Sequence, residues 1–279
     1  MDIRSDMSSQ PTLKGQAYWD ASITLSQSAK HHYTPENITS PYANHGVDLT
    51  IFVSCYNEAV FIVDTLNTII TAMQMTRKTF EIIVIDDGSK DESLVCVKHY
   101  IEQHPDVDII LRANKKNKGL AQNYVDGAFM GRGKYYRLFC GDNSEPTETI
   151  VKVVNAIGEA DIIVPYYTLF QNKSSYRQMI SKIYTKIINI ISGNKIRYYN
   201  GLHIHLRHNI MRWHANTRGF GFQAALLCTL INLGFTYKEI AVITIERRGG
   251  RGNAITWKNV RSVSHTMLGL LIQRLAPRT

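Results

Sequence analysis

The apolar positions along the chain change their period in a regular order. Leu49-Thr-Ile-Phe-Val-Ser-Cys55 is a short apolar and β-branched run, the pattern of a strand buried on both faces. Asn57 then reads as a helix start, and Val60, Ile62, Val63, Leu66, Ile69, Ile70 and Met73 recur at helical spacing. The same alternation repeats three times. Strands are predicted at 80–85, 107–111, 135–139 and 161–165, and helices at 91–103, 120–130 and 148–159. Strand and helix alternating at this spacing predict an α/β protein built on a mostly parallel, doubly wound sheet with flanking helices.

Further on, Tyr176, Met179, Ile180, Ile183, Tyr184, Ile187, Ile188 and Ile191 keep three-four spacing, with Arg177, Lys182 and Lys186 off the stripe. This helix suits either the core or a membrane interface. A last amphipathic helix is expected over 260–275, facing the core or an oligomer contact. Residues 1–46 lack sustained periodicity. The expected organisation is therefore an extension over 1–46, a main domain over 47–260 with halves at 47–146 and 147–260, and a C-terminal helix over 261–279.

Composition narrows the function classes. With 279 residues, 44% apolar, the chain is long enough to bury a core without disulfide staples. Its four cysteines, Cys55, Cys96, Cys140 and Cys228, form no CxxC pair, which disfavours a disulfide scaffold or structural zinc site and suits a reducing cytoplasm. No apolar run reaches the roughly 18 residues of a spanning helix, and the first residues lack the apolar core of a secretory signal. The expected location is cytoplasmic, on or near a membrane face. Residues 1–150 carry 14 Lys+Arg against 19 Asp+Glu (−5), and residues 151–279 carry 18 against 4 (+14), which recovers the net +9. The basic half suits phosphates or anionic lipid. Nucleic acid is disfavoured, because the basic residues alternate with apolar stripes and no nucleic-acid-reading motif is present.

In doubly wound sheets ligands bind at the carboxyl ends of the strands. Three polar clusters fall there: Tyr56-Asn57-Glu58, Asp86-Asp87, and Asp142-Asn143 with Glu145. None lies in a GxGxxG or GxxxxGK[ST] loop, so neither a Rossmann dinucleotide site nor a P-loop is indicated. Carboxylates at these ends can hold Mg²⁺ or Mn²⁺, which neutralises a diphosphate, or accept hydrogen bonds from a base or ribose. Asp91, by contrast, reads as a helix cap.

These residues carry a resemblance. Val53-Ser-Cys-Tyr-Asn-Glu58, Ile85-Asp-Asp-Gly-Ser89, Asn117-Lys-Gly119 with Asn123, and Gly141-Asp-Asn143 resemble, in order and spacing, the motifs of family 2 glycosyltransferases. Asn172-Lys-Ser-Ser, Asn200-Gly-Leu-His203 with Arg207, Phe220-Gly-Phe-Gln223 and Glu246-Arg-Arg-Gly-Gly-Arg251 look like the acceptor half of dolichyl-phosphate mannose synthase-like members. The resemblance implies a GT-A fold and an inverting, metal-dependent transfer from a nucleotide-diphosphate sugar. It implies a nucleotide pocket at Tyr56, Glu58, Asp86, Asp87, Asn117, Lys118 and Gly119. Asp142 would hold the metal and diphosphate with help from Glu145, and Arg247 or Arg248 would close over the phosphates. The acceptor side would use His203, Arg207, Gln223, Arg251 and Lys258.

Three departures qualify the likeness. Cys140 replaces the first carboxylate of the family's Asp-x-Asp motif. The lysine usual after the late glycine is absent, with Lys258 the nearest substitute. Phe222-Gln-Ala-Ala stands where hydroxyl-activating members keep a Glu-Asp base. Transfer to an alcohol needs a base, worth about 10²–10⁴ in rate, whereas a phosphate monoester is already an anion. The leading acceptor is thus a polyprenyl phosphate or other lipid-linked group. The alternatives are a glycan hydroxyl, with Glu145 or His203 as base, and a nucleotide-sugar binding protein without turnover.

Overall fold

The computed structural model describes residues 22–25, 46–171, 175–213, 221–245 and 257–275. A short strand β1 (Ser22–Leu25) is followed by β2 (Leu49–Cys55), α1 (Ile62–Gln74), β3 (Phe80–Asp86), α2 (Ser93–Gln103), β4 (Ile109–Ala113), α3 (Leu120–Met130), β5 (Tyr135–Cys140) and α4 (Thr147–Asn155). The second half contributes β6 (Ile162–Gln171), α5 (Ser175–Ser192), β7 (Ile204–Leu206), α6 (Arg207–Met211), α7 (Phe222–Asn232), β8 (Tyr237–Ile245) and α8 (Trp257–Leu275). Among the described residues no helix is long and apolar enough to cross a membrane.

One eight-stranded sheet runs in the order β1-β4-β3-β2-β5-β7-β6-β8. The β2/β3, β2/β5, β3/β4 and β6/β8 pairs are parallel. Two strands run the other way: β1 against β4, and β7 between β5 and β6. The mostly parallel sheet is as expected, and β7 falls where the alternation of His203 and His205 predicts a strand; there are two additions. Ser22–Leu25, inside the predicted extension, lengthens the sheet at its edge, and β8 joins the far side.

Side chains explain the continuous apolar runs. Leu49, Ile51, Val53 and Cys55 of β2 point into one buried cluster with Ile62, Leu66, Ile69 and Met73 of α1. Phe52 enters the cluster on the other face, with Tyr124, Tyr136 and Phe222. A strand covered on both sides has no polar face to show, so period two disappears from its sequence. Helix α1 begins at Ile62 rather than near Asn57. Asn57 has φ 57°, a left-handed conformation that a right-handed helix cannot include.

Candidate active site

The chain steps from β2 outward to β3 and β4, then returns to β5 on the other side of β2. This reversal of strand order opens a crevice at the carboxyl ends of β2 and β5. Cys55 lies opposite Asp86, and Ser54 opposite Cys140. The Asp87 N–H donates to the Cys55 carbonyl at 2.8 Å, and the Gly141 N–H to the Ser54 carbonyl at 2.9 Å. The turns bearing Asp87 and Asp142 are thus pinned to the same strand, roughly 10 Å apart across it at normal strand spacing. A Cβ at Gly141 would stand 2.8 Å from that Ser54 carbonyl oxygen, so the close approach requires glycine. Four residues in these loops are left-handed: Asn57, Gly88, Gly119 and Asn143, with φ of 57°, 76°, 88° and 52°. Glycine adopts this conformation freely, so the unusual pair is Asn57 and Asn143, one in the turn after β2 and one in the turn after β5.

The Asp86-Asp87 pair divides its work. Asp87 accepts the Lys118 N–H at 2.8 Å, the Gly119 N–H at 2.9 Å and the Asn114 Nδ2 amide at 2.9 Å. A carboxylate offers about four acceptor positions, so Asp87 is largely spent on shaping the Asn117-Lys118-Gly119 loop. Asp86 takes the Ser89 N–H on Oδ2 at 3.1 Å, while its Oδ1 is buried without a hydrogen-bond partner among the described residues. The Lys118 ammonium turns to Asp126 at 3.4 Å, leaving its backbone at the site. The exposed Asn117 lies where the Gly88 backbone packs on that loop. Tyr56 is 45% exposed at the crevice mouth, and the Glu58 N–H is fixed by Ser93 Oγ at 2.8 Å. Asp91 accepts from Ser93 and Ala59, one position ahead of the N-cap residue Glu92, so it ties the start of α2 to the β2 loop instead of capping the helix.

Beyond β5, Asp142 is half-buried, and its Oδ1 has no hydrogen-bond partner among the described residues. Burial, then the charges of Asp142, Glu145 and Glu58, pushes the Cys140 thiol up. A thiol is also a soft ligand that suits Mg²⁺ or Mn²⁺ less well than a carboxylate, so Cys140 is a poor substitute for the missing acid. Glu145 receives Arg137 Nη2 on Oε1 at 2.8 Å, both side chains being essentially buried, while its Oε2 is buried without a hydrogen-bond partner among the described residues. Burial holds the Glu145 carboxyl up, against the opposing pull of Arg137. No group of three or more His, Cys, Asp and Glu among the described residues forms a metal cage. An unpartnered carboxylate oxygen in a cluster of negative charge nevertheless fits a hard divalent ion, since Mg²⁺ typically takes one or two carboxylates plus phosphate and water oxygens. The opposite end of the sheet offers a contrast. There the fully buried Glu81 is saturated by Thr50 Oγ1, Arg132 and the Gly133 N–H, an arrangement that leaves nothing for a ligand.

The predicted acceptor residues fare differently. Arg207 donates to the Gly133 carbonyl at 2.7 Å and the Ala128 carbonyl at 3.0 Å, so it ties α6 to the end of α3. His203 is 4% exposed, its ring 5.7 Å from that of His205, and burial holds it down at about 3. It is too weak a base, and too enclosed, to meet an acceptor. Gln223 opens α7 half-buried, with Oε1 lacking a hydrogen-bond partner among the described residues. Arg247, Arg248 and Arg251 lie outside the described residues, as does the side chain of Lys258 in α8.

Two residues at the site escaped sequence reasoning. Asn114 bridges Asp87 and Asn123, the latter at 2.8 Å, and Arg137 neutralises Glu145. The signal for Arg137 was a single charge inside the otherwise apolar strand Tyr-Tyr-Arg-Leu-Phe-Cys.

The buried histidines carry a pH prediction. Burial lowers His203 to about 3 and His205 well below its ordinary value, with the neighbouring charges of Arg137 and His203 adding to the effect. In the unfolded chain both would titrate near 6.5. Between about 6.5 and about 3 the unfolded state binds more protons, so stability is lost as pH falls, by up to about 1.4 kcal/mol per pH unit for each histidine. Urea midpoints measured from neutral pH downward should fall accordingly, and less steeply in His203→Gln. Equal slopes in the two proteins would contradict this.

The family model named Glycosyl transferase family 2 matches residues 50–218. The chain belongs to glycosyltransferase family 2. It is 30% identical over 120 residues to a dolichyl-phosphate beta-glucosyltransferase of Dictyostelium discoideum, covering 41% of this chain and 37% of that protein. A dolichol-phosphate mannosyltransferase of Saccharomyces cerevisiae is 24% identical over 193 residues, 66% of this chain and 71% of that one. Among solved structures, a mannosyltransferase from Pyrobaculum calidifontis in complex with GDP-Man and Mn²⁺ superposes with a TM-score of 0.62 at 16% identity. That match covers 86% of this chain and 70% of the other. The fold is GT-A, as the family 2 motifs implied. The match spans just over a third of the Dictyostelium relative's length.

Proposed function

We propose that this family 2 chain moves a sugar from a nucleotide-diphosphate donor to a lipid-linked phosphate acceptor, with inversion at the anomeric carbon. Residues 47–146 serve as the donor half and 147–260 as the acceptor half, between an N-terminal extension over 1–46 and a C-terminal helix over 261–279. The base and ribose meet the loops at Tyr56, Glu58, Asp86 and Asn117–Gly119, whose backbone Asp87 holds in shape. Asp142, through its unpartnered Oδ1, is the residue that would hold Mg²⁺ or Mn²⁺. Bound there, the ion supplies positive charge to the departing diphosphate. An acceptor phosphate oxygen attacks the anomeric carbon as the bond to the diphosphate breaks, its electron pair leaving with the nucleotide. Arg247 or Arg248 closes over the phosphates, with Arg251, Lys258 and Gln223 on the acceptor side.

One observation carries the choice of acceptor. Each base named for a hydroxyl acceptor is enclosed or absent: Glu145 is buried with one oxygen on Arg137, His203 is buried near 3, and α7 opens with Phe222-Gln223-Ala224 where a carboxylate pair would be needed. A phosphate needs no base, only cations. The relatives' names, glucosyl and mannosyl transfer to dolichyl phosphate, point the same way.

Incubation with radiolabelled UDP- or GDP-sugars, Mn²⁺ and a polyprenyl phosphate tests this reading. Label is expected in an organic-extractable, acid-labile product that disappears with EDTA. Label found only in a water-soluble glycan would overturn the lipid-phosphate acceptor, and no turnover with any donor would leave a binding protein.

A further inference from the structure

Helix α5 divides its surface three ways. With about 100° per residue, Thr185 and Ile188 point inward and are buried. Tyr176, Met179, Ile183, Ile187 and Ile190 form a separate stripe turned outward, exposed by 61, 50, 50, 38 and 64%. A helix serving only the core would keep such residues inside. One step around the helix, the exposed Lys182 and Lys186 begin an open basin of about 540 Å³, with Asn189, Lys195 and Arg197 among its other walls. Arg197 is braced by Tyr166 and by Glu239 at 3.7 Å, while Arg274 of α8 caps the carbonyls of Ile190 and Ile191. Helix α8 itself exposes Leu268, Leu271 and Ile272.

An apolar ridge flanked by four cations needs a partner that is apolar within and anionic at its surface. A second copy of the chain satisfies only half of this. A two-fold interface would bury the ridge against itself, but it would also bring two identical basic basins together. A bilayer interface satisfies both, accepting apolar side chains to about 5–10 Å while its phosphates meet the lysines. The +14 balance of residues 151–279 gives the same preference at long range.

We propose that this face of α5 docks on an anionic phospholipid bilayer. The ridge enters the interface, and headgroup phosphates occupy the basin of Lys182, Lys186, Lys195 and Arg197. The surface uses none of the strand-end residues, so the proposal stands apart from sugar transfer and can fail without it.

Co-sedimentation of the full chain with phosphatidylcholine vesicles, with and without phosphatidylglycerol, tests the proposal in the absence of donor and acceptor. Binding should be about tenfold or more tighter on the anionic vesicles and should weaken with salt. Lys182→Glu with Lys186→Glu should reduce it about tenfold or more, and so should Ile183→Asp with Ile187→Asp. All four positions are exposed, so urea midpoints should not move. Equal binding to both vesicle types, no binding to either, or variants that bind like the parent would overturn the proposal. A dimer in light scattering that Ile183→Asp dissociates, without vesicle binding, would assign the ridge to a second copy instead.

Discussion

Asp142→Ala is expected to lower sugar transfer by on the order of 10³-fold or more while leaving the folded protein at least as stable as before. The two effects have one origin. The Asp142 Oδ1 is buried without a hydrogen-bond partner among the described residues, and the neighbouring Cys140 offers a hard cation only a soft thiol. In the absence of metal, an unsatisfied buried carboxylate oxygen is a cost, so removing it should not destabilise. With metal and diphosphate present, Asp142 would hold the ion that supplies positive charge to the leaving group, and losing such a contact is typically worth several kcal/mol of transition-state stabilisation. Thermal unfolding with and without Mn²⁺ separates the two. The parent should gain stability from Mn²⁺ plus nucleotide diphosphate, and the variant should not. A variant that keeps activity within tenfold, or keeps the Mn²⁺-dependent gain, would remove Asp142 from the metal site.

The second large effect is on stability. Glu145→Leu should destabilise the fold by about 3–5 kcal/mol, because it strands the fully buried Arg137 guanidinium without its counter-charge. Among the described residues Arg137 would keep its Nε contact to the Leu202 carbonyl at 3.0 Å and its position over the Phe139 ring. Adding Arg137→Met to the same chain should recover most of the loss, since replacing both members of a buried pair by apolar groups is often close to neutral. Urea unfolding of the two single variants and the double variant gives the coupling directly. If Glu145→Leu alone costs less than about 1 kcal/mol, the pair does not hold the turn that carries Asp142. Activity provides a second readout, because only two residues, Asn143 and Ser144, separate Asp142 from Glu145.

Legibility of the sequence followed the range of the interaction. The alternating strands and helices through α4 were readable because period and residue type are properties of a few neighbouring residues. The strand ends carrying Glu58, Asp86, Asp87 and Asp142 were readable for the same reason, and the structure does bring them around β2. Less was legible where pairing partners are remote. Strand β1 needs β4 before it has a reason to be extended. Asn57 was misread because its left-handed turn is imposed by Ser89 and Lys90, which bond to it from the next strand's loop.

The chain by itself settled the class of fold and the places where polar groups gather, because hydrophobic periodicity and strand-end punctuation are local. Only the folded arrangement decided which of those groups are still available for chemistry. One oxygen of Glu145 is taken by an arginine eight positions away, Arg207 by carbonyls more than seventy positions away, and Asp87 largely by a loop about thirty residues on. The Asp142 Oδ1 meets no donor among the described residues and is open to a partner from outside. Whether a charged side chain is spent or free depends on who arrives beside it, and that is a property of packing alone.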